Sequence, residues 1–534
     1  MSQGMSEAFT PEERAALAPY FTNLDGPVFA LINLPEVVKG ALFARYSRSP
    51  KSLRRLFLDE FLTTGLAPAA AGGPGAGGPG TARAEQLYER VFLEYGDDSV
   101  AQLGGVHLAC EGASNILTKV LEWGRLMAYL EQSTRYVPYD DRPDGRYRYH
   151  VPAELWGALR ERYVATLDRA FETYCAWLPR LRDFYAARFP RAEGDSEQVH
   201  RLSLRAKVLD TLRGLLPAAT ISNVGIYGTG QAYEQLLLRM RTHPLVEVRG
   251  YADLMLTELR KVIPAFLRRV DNPERGGIWS AYLAETREAV REVAERLLER
   301  VEPEPRDEVT LSDFDPEGEV KVVAAALYAA AALPDDQLLA AAREMTHEER
   351  LAVLTAYVGK RRNRRHRPGR AFERTSYRFD ILGDYGAFRD LQRHRLLSLE
   401  WQRLTPRHGY LIPAAVEEAG GRGDWERVMD EAAALHDALA AGLPDVASYA
   451  VSMAYRVRFY MEMNARETMH VIELRSAPQG HPSYRRICQA MHRLIAERAG
   501  HHAIAAAMTF ADHSEVALER LEAERAAERR RAQQ

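Results

Sequence analysis

DLQRHRLLSLEWQRLTPRHGYLIP, Asp390 to Pro413, and LEWGRLMAYLEQSTRYVPYDD, Leu121 to Asp141, decide how this chain is built. In the first stretch Arg393, His394 and Arg395 are consecutive and Ser398 follows closely. Two guanidiniums and an imidazole this near repel one another unless an anion is shared, and Arg grips phosphate through paired hydrogen bonds. A solvated basic face is the alternative. In the second stretch Glu131, Gln132, Ser133, Thr134, Arg135 and Tyr136 run together. A Ser hydroxyl, an Arg fork and successive backbone N–H groups can cradle a phosphate monoester. A third stretch, NARETMHVIELRSAPQGHPSYRR, spans Asn464 to Arg486. On a helix, Asn464, Arg466 and His470 share neighbouring surface, Arg466 and His470 being one i,i+4 step apart, and Arg475 comes a turn or two later. A polar helix face with one satisfied Asn is the alternative here.

The whole chain has 534 residues, more than one hydrophobic core usually organises, so two or more domains are expected. Lys and Arg total 71 against 74 Asp and Glu, a net charge of -3, so there is no global field for nucleic acid or acidic lipid and any anion site must be local. Cys110, Cys175 and Cys488 lie far apart with no CxxC pair, which suits a reducing compartment and argues against a disulfide framework or a cysteine zinc site. MSQGMSEAFTPEER has no signal-peptide pattern, and the longest apolar run, Val322 to Leu333, is too short to span a bilayer. A soluble cytoplasmic protein without membrane association is the expectation.

Ala67 to Ala82, APAAAGGPGAGGPGTA, reads as a disordered loop. Its GAGGPG, Gly75 to Gly80, mimics a dinucleotide fingerprint, but no strand precedes it and Pro79 spoils the helix start. A break at Val301 to Val309, VEPEPRDEV, separates two halves of similar size, 1–300 and 309–534. Amphipathic helices are predicted over Glu154 to Phe189, Ser203 to Leu216, Gln235 to Arg239 with Ala252 to Val270, Ala281 to Arg300, Gln337 to Gly359, Trp425 to Leu443 and Arg485 to Arg498. Strands are predicted at Val28 to Ile32, Arg148 to Val151, Val309 to Asp313 and Ser376 to Ile381. The fold class is thus α+β, predominantly helical, with Ser514 to Arg531 as a solvated, fraying end. Lys360 to Arg370, KRRNRRHRPGR, is the densest basic run. It lacks the interleaved aromatics of a nucleic-acid surface, so a solvated loop or an anion-facing lip is favoured. His347 and the His501-His502 pair lack partners at metal-ligand spacing, and no metal is expected.

Together the three stretches resemble the signature of flavin-dependent thymidylate synthases, RHR-x2-S-x-N-E-x-S-x-R-Y followed by a helix with NAR and Leu-Arg. The resemblance occurs twice and identifies two tandem thymidylate synthase-like domains that diverged in opposite directions. In the first half Gly96 to Gln102 is similar to the family's GHETPFE, with Ser99 at its Thr/Ser position. RHR has become Trp123-Gly124-Arg125 and NAR reads Gly228-Thr229-Gly230, but Glu131, Ser133, Arg135, Arg213 and Leu238-Arg239 with His243 remain. In the second half RHR and NAR stand intact, NExSxRY has become Glu400 to Pro406, and Ser448 takes the place of Arg213.

The resemblance implies reductive methylation of dUMP to dTMP at a composite site of the two halves, with FAD as cofactor and NADPH and methylenetetrahydrofolate as co-substrates. It implies flavin contacts from Ser99, Glu131, Arg393, His394, Arg395, Asn464, Arg466 and His470. Nucleotide contacts would come from Glu131, Gln132, Ser133, Arg135, Arg213 and Arg239. Arg239 or Arg475 would stabilise charge on the pyrimidine, Arg239 being favoured because its half keeps the other nucleotide contacts. Since the family's site lies within a homotetramer, a homodimer forming a pseudo-tetramer is implied. A non-catalytic flavin- or nucleotide-binding relative, and a nucleic-acid-binding or scaffold protein using the basic run, are the alternatives.

Overall fold

The computed structural model describes residues 8–34, 46, 49–62 and 105–533. The Pro/Gly/Ala tract and Ser99 lie outside them. The described chain is mixed α/β and mostly helical, with two four-stranded antiparallel sheets. It divides into two compact units. Unit 1 comprises residues 1–176, 215–303 and 424–452; unit 2 comprises 177–214, 304–423 and 453–534. Each unit therefore takes one segment from the other half of the sequence.

In unit 1, β1 (Val28–Leu31), β2 (Gly105–Ser114), β3 (Met127–Glu131) and β4 (Ile221–Thr229) are ordered β1-β2-β4-β3. In unit 2, β5 (Val309–Phe314), β6 (Ser376–Asp384), β7 (Ser398–Trp401) and β8 (Arg456–Asn464) repeat that order as β5-β6-β8-β7. The register repeats as well, since Ala128 faces Tyr227 and Ser398 faces Glu462. Each second strand ends in a residue that caps a short helix. Ser114 caps Asn115–Leu121 by accepting from the Leu117 N–H, and Asp384 caps Tyr385–Leu391 by accepting from the Ala387 N–H. Thr229 and Asn464 likewise cap the helices Gly230–Arg241 and Ala465–Arg475. The copies differ in where the ladder is irregular, at β2 against β4 in unit 1 and between Leu311 and Asp313 of β5 in unit 2. In β2 the ladder shifts between Cys110 and Ala113, where Gly112 adopts φ +73°, open to glycine, and its N–H donates to Asn223 Oδ1 at 2.9 Å.

β8 shows why strands were missed in the sequence. Val457, Phe459, Met461 and Met463 alternate inward and are buried, but the intervening Arg, Tyr and Glu mask a strand. Those residues instead tie the outer face together. Arg378 donates to Glu462 at 2.7 Å and lies 3.5 Å from the Tyr460 ring centroid, and Arg458 donates to Asp380 at 2.8 Å. Besides β8, the strands β2, β3, β4 and β7 went unpredicted. The predicted strand Arg148 to Val151 is only an isolated bridge, Tyr149 to Thr220. Gln337 to Gly359 is two helices, Asp335–Glu344 and His347–Val358, because Thr346 and Glu349 form a capping box that starts the second. The C-terminal end is not left to solvent: Arg525 makes paired bonds to Asp195, and Lys207 pairs with Glu519.

The exchanged segments are held by equivalent bonds. Within unit 1 the Ala219 N–H donates to the Tyr449 carbonyl at 3.0 Å; within unit 2 the Ala454 N–H donates to the Gly214 carbonyl at 3.0 Å. In unit 1, Tyr449 also donates through its hydroxyl to Glu247 at 2.6 Å. The same buried carboxylate accepts from the Ser114 N–H at 2.9 Å and from Ser114 Oγ at 2.7 Å. A hydrogen bond to a buried charged group is worth roughly 1.5–3 kcal/mol. Tyr449→Phe should therefore lower the stability of unit 1 by about that amount, as a reduced urea midpoint with unchanged m-value. An unchanged midpoint would show that Tyr449 does not anchor its segment.

Candidate functional site

The charged residues of unit 2 converge at the end of the Tyr385–Leu391 helix. Asp390, one helical turn before Arg393, was not singled out from the sequence. Its Oδ1 accepts a hydrogen bond from Arg393 and lies 3.7 Å from Arg475 Nη1, while its Oδ2 accepts from Arg213 Nη1 at 3.3 Å. Three guanidiniums thus meet one carboxylate. The Arg213 side chain is only 4% exposed, and its Nη2 is buried without a hydrogen-bond partner. Gly386 makes room for it, since a Cβ there would stand 3.0 Å from Arg213 Nε and 2.9 Å from Asp384 Oδ1. Burial pushes the Asp384 carboxyl above the ordinary range, against the pull of Arg213.

Beside this cluster Arg475 Nε donates to His394 Nε2 at 3.0 Å, and Arg367 donates to His470 Nδ1 at 2.7 Å. His394, Glu467 and His470 have potential ligand atoms within 4.8 Å of one another. Each imidazole already spends a lone pair on a guanidinium, however, and the other nitrogen of a neutral ring carries the proton. Binding a cation would require breaking those bonds among arginines, so the chemistry of the trio favours anions. Burial, then Arg475 and His470, holds His394 well below its ordinary pKa. Burial, then Arg367, lowers His470 to about 4, while burial raises Glu467 to about 7 against Arg367, Arg466 and Arg395.

Asn464 is committed through Oδ1 to the Glu467 N–H at 2.9 Å, and Arg466 donates to the Pro368 carbonyl at 2.9 Å. The basic run is consequently folded onto this helix rather than solvated throughout. Arg361, its side chain 2% exposed, pairs with both oxygens of Glu473, and Arg367 reaches His470. Lys360, Arg362, Arg365 and Arg370 of the same run are exposed.

The remaining predicted residues lie in unit 1. Glu131 is buried 3.3 Å from Lys119, which also pairs with Glu122. Gln132 is buried too, donating to the Ser49 carbonyl and accepting from Asn223 at 3.3 Å. Ser133 and Arg135 form a half-buried turn, the Arg135 N–H donating to Ser133 Oγ at 3.2 Å. Arg239 lies 5.3 Å from the centroid of the Trp123 ring. Arg213, grouped by sequence with Ser133 and Arg135, belongs instead to unit 2. The helices supply the reason for this asymmetry: Val120 and Trp123 occupy the places of Asp390 and Arg393, and Ser448 that of Arg213, so the described residues of unit 1 form no corresponding cluster.

The titrations set a pH dependence. Between about pH 4.5 and 6.5, unfolding lets His394 and His470 take up two protons, whereas the folded unit holds one on Glu467 that the unfolded chain releases. The raised Glu467 stabilises the fold below its unfolded value and loses that contribution as pH rises to about 7; the depressed histidines stabilise it above 6.5 and lose theirs on acidification. These three groups net one proton and contribute a rise of about 1.4 kcal/mol per pH unit, to which the depressed His408, His501 and His513 add, and Glu467→Gln should steepen the slope by about a further 1.4 kcal/mol per pH unit. Urea denaturation at pH 5 and 6.3 measures both slopes, and equal slopes would remove Glu467 from the balance.

Comparison with known proteins finds the family described as "Thymidylate synthase complementing protein" matching twice, at residues 68–265 and 310–499. A UPF0159 protein of Chlamydia muridarum is 39% identical over 97% of this chain and 98% of its own length. A UPF0159 protein of Thermoplasma acidophilum is 30% identical over 91% of this chain and 97% of its own. A flavin-dependent thymidylate synthase of Mycobacterium sp. (strain JLS) is 29% identical over 33% of this chain and 67% of its own. Among the described residues no helix is long and apolar enough to cross a membrane.

Proposed function

The chain belongs to the thymidylate synthase complementing protein family, and from that premise we propose that it is an FAD-dependent enzyme converting dUMP to dTMP with methylenetetrahydrofolate and NADPH. The observation that carries this reading is the cluster of Arg213, Arg393 and Arg475 around Asp390, beside His394 and the Asn464 cap. It draws Arg213 from one sequence half and the other members from the second. The donor set around Glu467 suits a pyrophosphate-bearing flavin: Arg367, Arg395 and Arg466 are its facing cations. Arg395, His394, Asn464, Arg466 and His470 would hold FAD, which supplies the hydride chemistry when bound.

Arg213 and Arg393 bind the nucleotide 5′-phosphate, which takes Arg393 out of the flavin set that the resemblance implies, because it shares Asp390 with Arg213. Arg475 sets a fixed positive charge against negative charge developing on the pyrimidine, a role for a group that needs no reorganisation during reaction. Arg475 is preferred to Arg239 here because it stands among charged partners, whereas Arg239 lies against Trp123. None of the cysteines serves as nucleophile; Cys110 and Cys488 are buried, and burial raises both thiols. A second reading, flavin and nucleotide binding without turnover, has one observation in its favour: Asp390 already occupies the arginine cluster.

The purified protein should show flavin absorbance on adding FAD, and the bands should respond to dUMP. Asn464→Ala and Arg395→Ala should weaken FAD retention; Arg213→Ala and Arg475→Ala should retain FAD and lose at least tenfold in dUMP affinity. Ser133→Ala with Arg135→Ala tests their assignment to the nucleotide in the same titration. Thymidylate formed with methylenetetrahydrofolate and NADPH distinguishes the enzyme from the silent binder, and the absence of both flavin and response would overturn each. Light scattering of the FAD-loaded chain checks the proposed homodimer.

A further inference from the structure

We propose that Asp390 is a charge filter for the arginine cluster, admitting a phosphate-monoester dianion and excluding monoanions such as carboxylates. This deepens the nucleotide-site reading above and rests on it for the identity of the ligand. The three guanidiniums offer far more N–H donors than the two oxygens of one carboxylate can accept. Asp390 Oδ1 serves Arg393 and Arg475, Oδ2 serves Arg213, and the buried Nη2 of Arg213 is left unpartnered. The cluster therefore keeps both positive charge and donor capacity after Asp390 has been satisfied. Asp384 also faces Arg213, but burial disfavours its charged form, and it does not cancel the excess from Arg393 and Arg475.

The filter works through tethering. Asp390 sits in the same helix as the turn leading to Arg393, so its carboxylate competes at an effective concentration of roughly millimolar or above. A free carboxylate brings the same charge and the same two oxygens, and gains nothing by replacing it. A phosphate monoester carries about -1.5 to -2 charge near neutrality and presents three acceptor oxygens. It can satisfy the guanidiniums more fully than Asp390 does, including the vacant donor of Arg213. The position equivalent to Asp390 in unit 1 is Val120, in a helix where Trp123 replaces Arg393, so acid and arginine are present together or absent together. That pairing is what a filter requires, since a carboxylate has no counter-charge to manage where the arginines are missing.

The test uses the full chain with inorganic phosphate and acetate as probes, at constant ionic strength and pH 7.5, without flavin or nucleotide. Calorimetry should register phosphate binding to the wild type and none with acetate, and the phosphate heat should vanish in Arg213→Gln. Asp390→Asn should bind phosphate at least tenfold more tightly and bind acetate measurably. Because that variant leaves three guanidiniums uncompensated and can fold poorly, Asp390→Glu provides a second check: with the charge retained, acetate should remain excluded. Wild-type binding of acetate comparable to phosphate, no phosphate binding, or unchanged discrimination in Asp390→Asn would each overturn the filter. Retained FAD and a dUMP response alongside any of those results would leave the enzymatic reading standing and sink only the role of Asp390.

Discussion

Guanidiniums gathered within hydrogen-bond reach require a shared anion, and Asp390 is the carboxylate that Arg213, Arg393 and Arg475 share. That constraint fixes several other features of unit 2. Arg213 has to arrive on a segment from the other half of the sequence, held by the backbone bond from Ala454 to Gly214. Gly386 has to lack a side chain so that the guanidinium can lie against its helix. Arg475 must reach Asp390 from the helix after β8, which it does while donating to His394. Removing the carboxylate would leave these elements opposed by their own charge.

The duplication explains how one cluster could be built at the expense of the other. Both units have the same strand order, the same capped helices and equivalent backbone bonds to the exchanged segments. Their frameworks are held by ladders and caps, which tolerate changes at the helix ends. Unit 1 then uses its exchanged segment for a different purpose: Tyr449 anchors Glu247, itself bound to Ser114. In unit 2 the capping and partner positions hold Asp384 and Ser483, an acid where unit 1 has a hydroxyl and a hydroxyl where it has an acid, and Ser483 faces the Asp384 carboxyl.

What was legible in the sequence was local. Arg393-His394-Arg395, Asn464-Ala465-Arg466 and most long helices could be read because their signals lie within a turn or two of chain. The strands β1, β5 and β6 were visible for the same reason. β4, with Gly225 and Gly228 in its midst, and β8, with charged residues between its apolar ones, owe their existence to partner strands far away in the sequence, β2 for the one and β6 for the other. The exchange of 177–214 and 424–452 was invisible on different grounds. In a duplicated chain a segment from either repeat satisfies the same ladder positions, so pattern alone cannot say which unit it joins.

That ambiguity also misdirected the grouping of site residues. Arg213 was placed with Ser133 and Arg135 because they share a half, yet its guanidinium serves the unit that holds Arg393 and Arg475. Preference for Arg239 rested on the same assumption and weakens with it. Asp390 was overlooked because an acid one turn before a basic triplet ordinarily reads as an i,i+3 surface pair. Only burial and the arrival of Arg213 and Arg475 from elsewhere in the sequence turn that pair into the centre of a charge cluster. Proximity along the chain was therefore a good guide to each motif and a poor guide to the unit in which Arg213 lies.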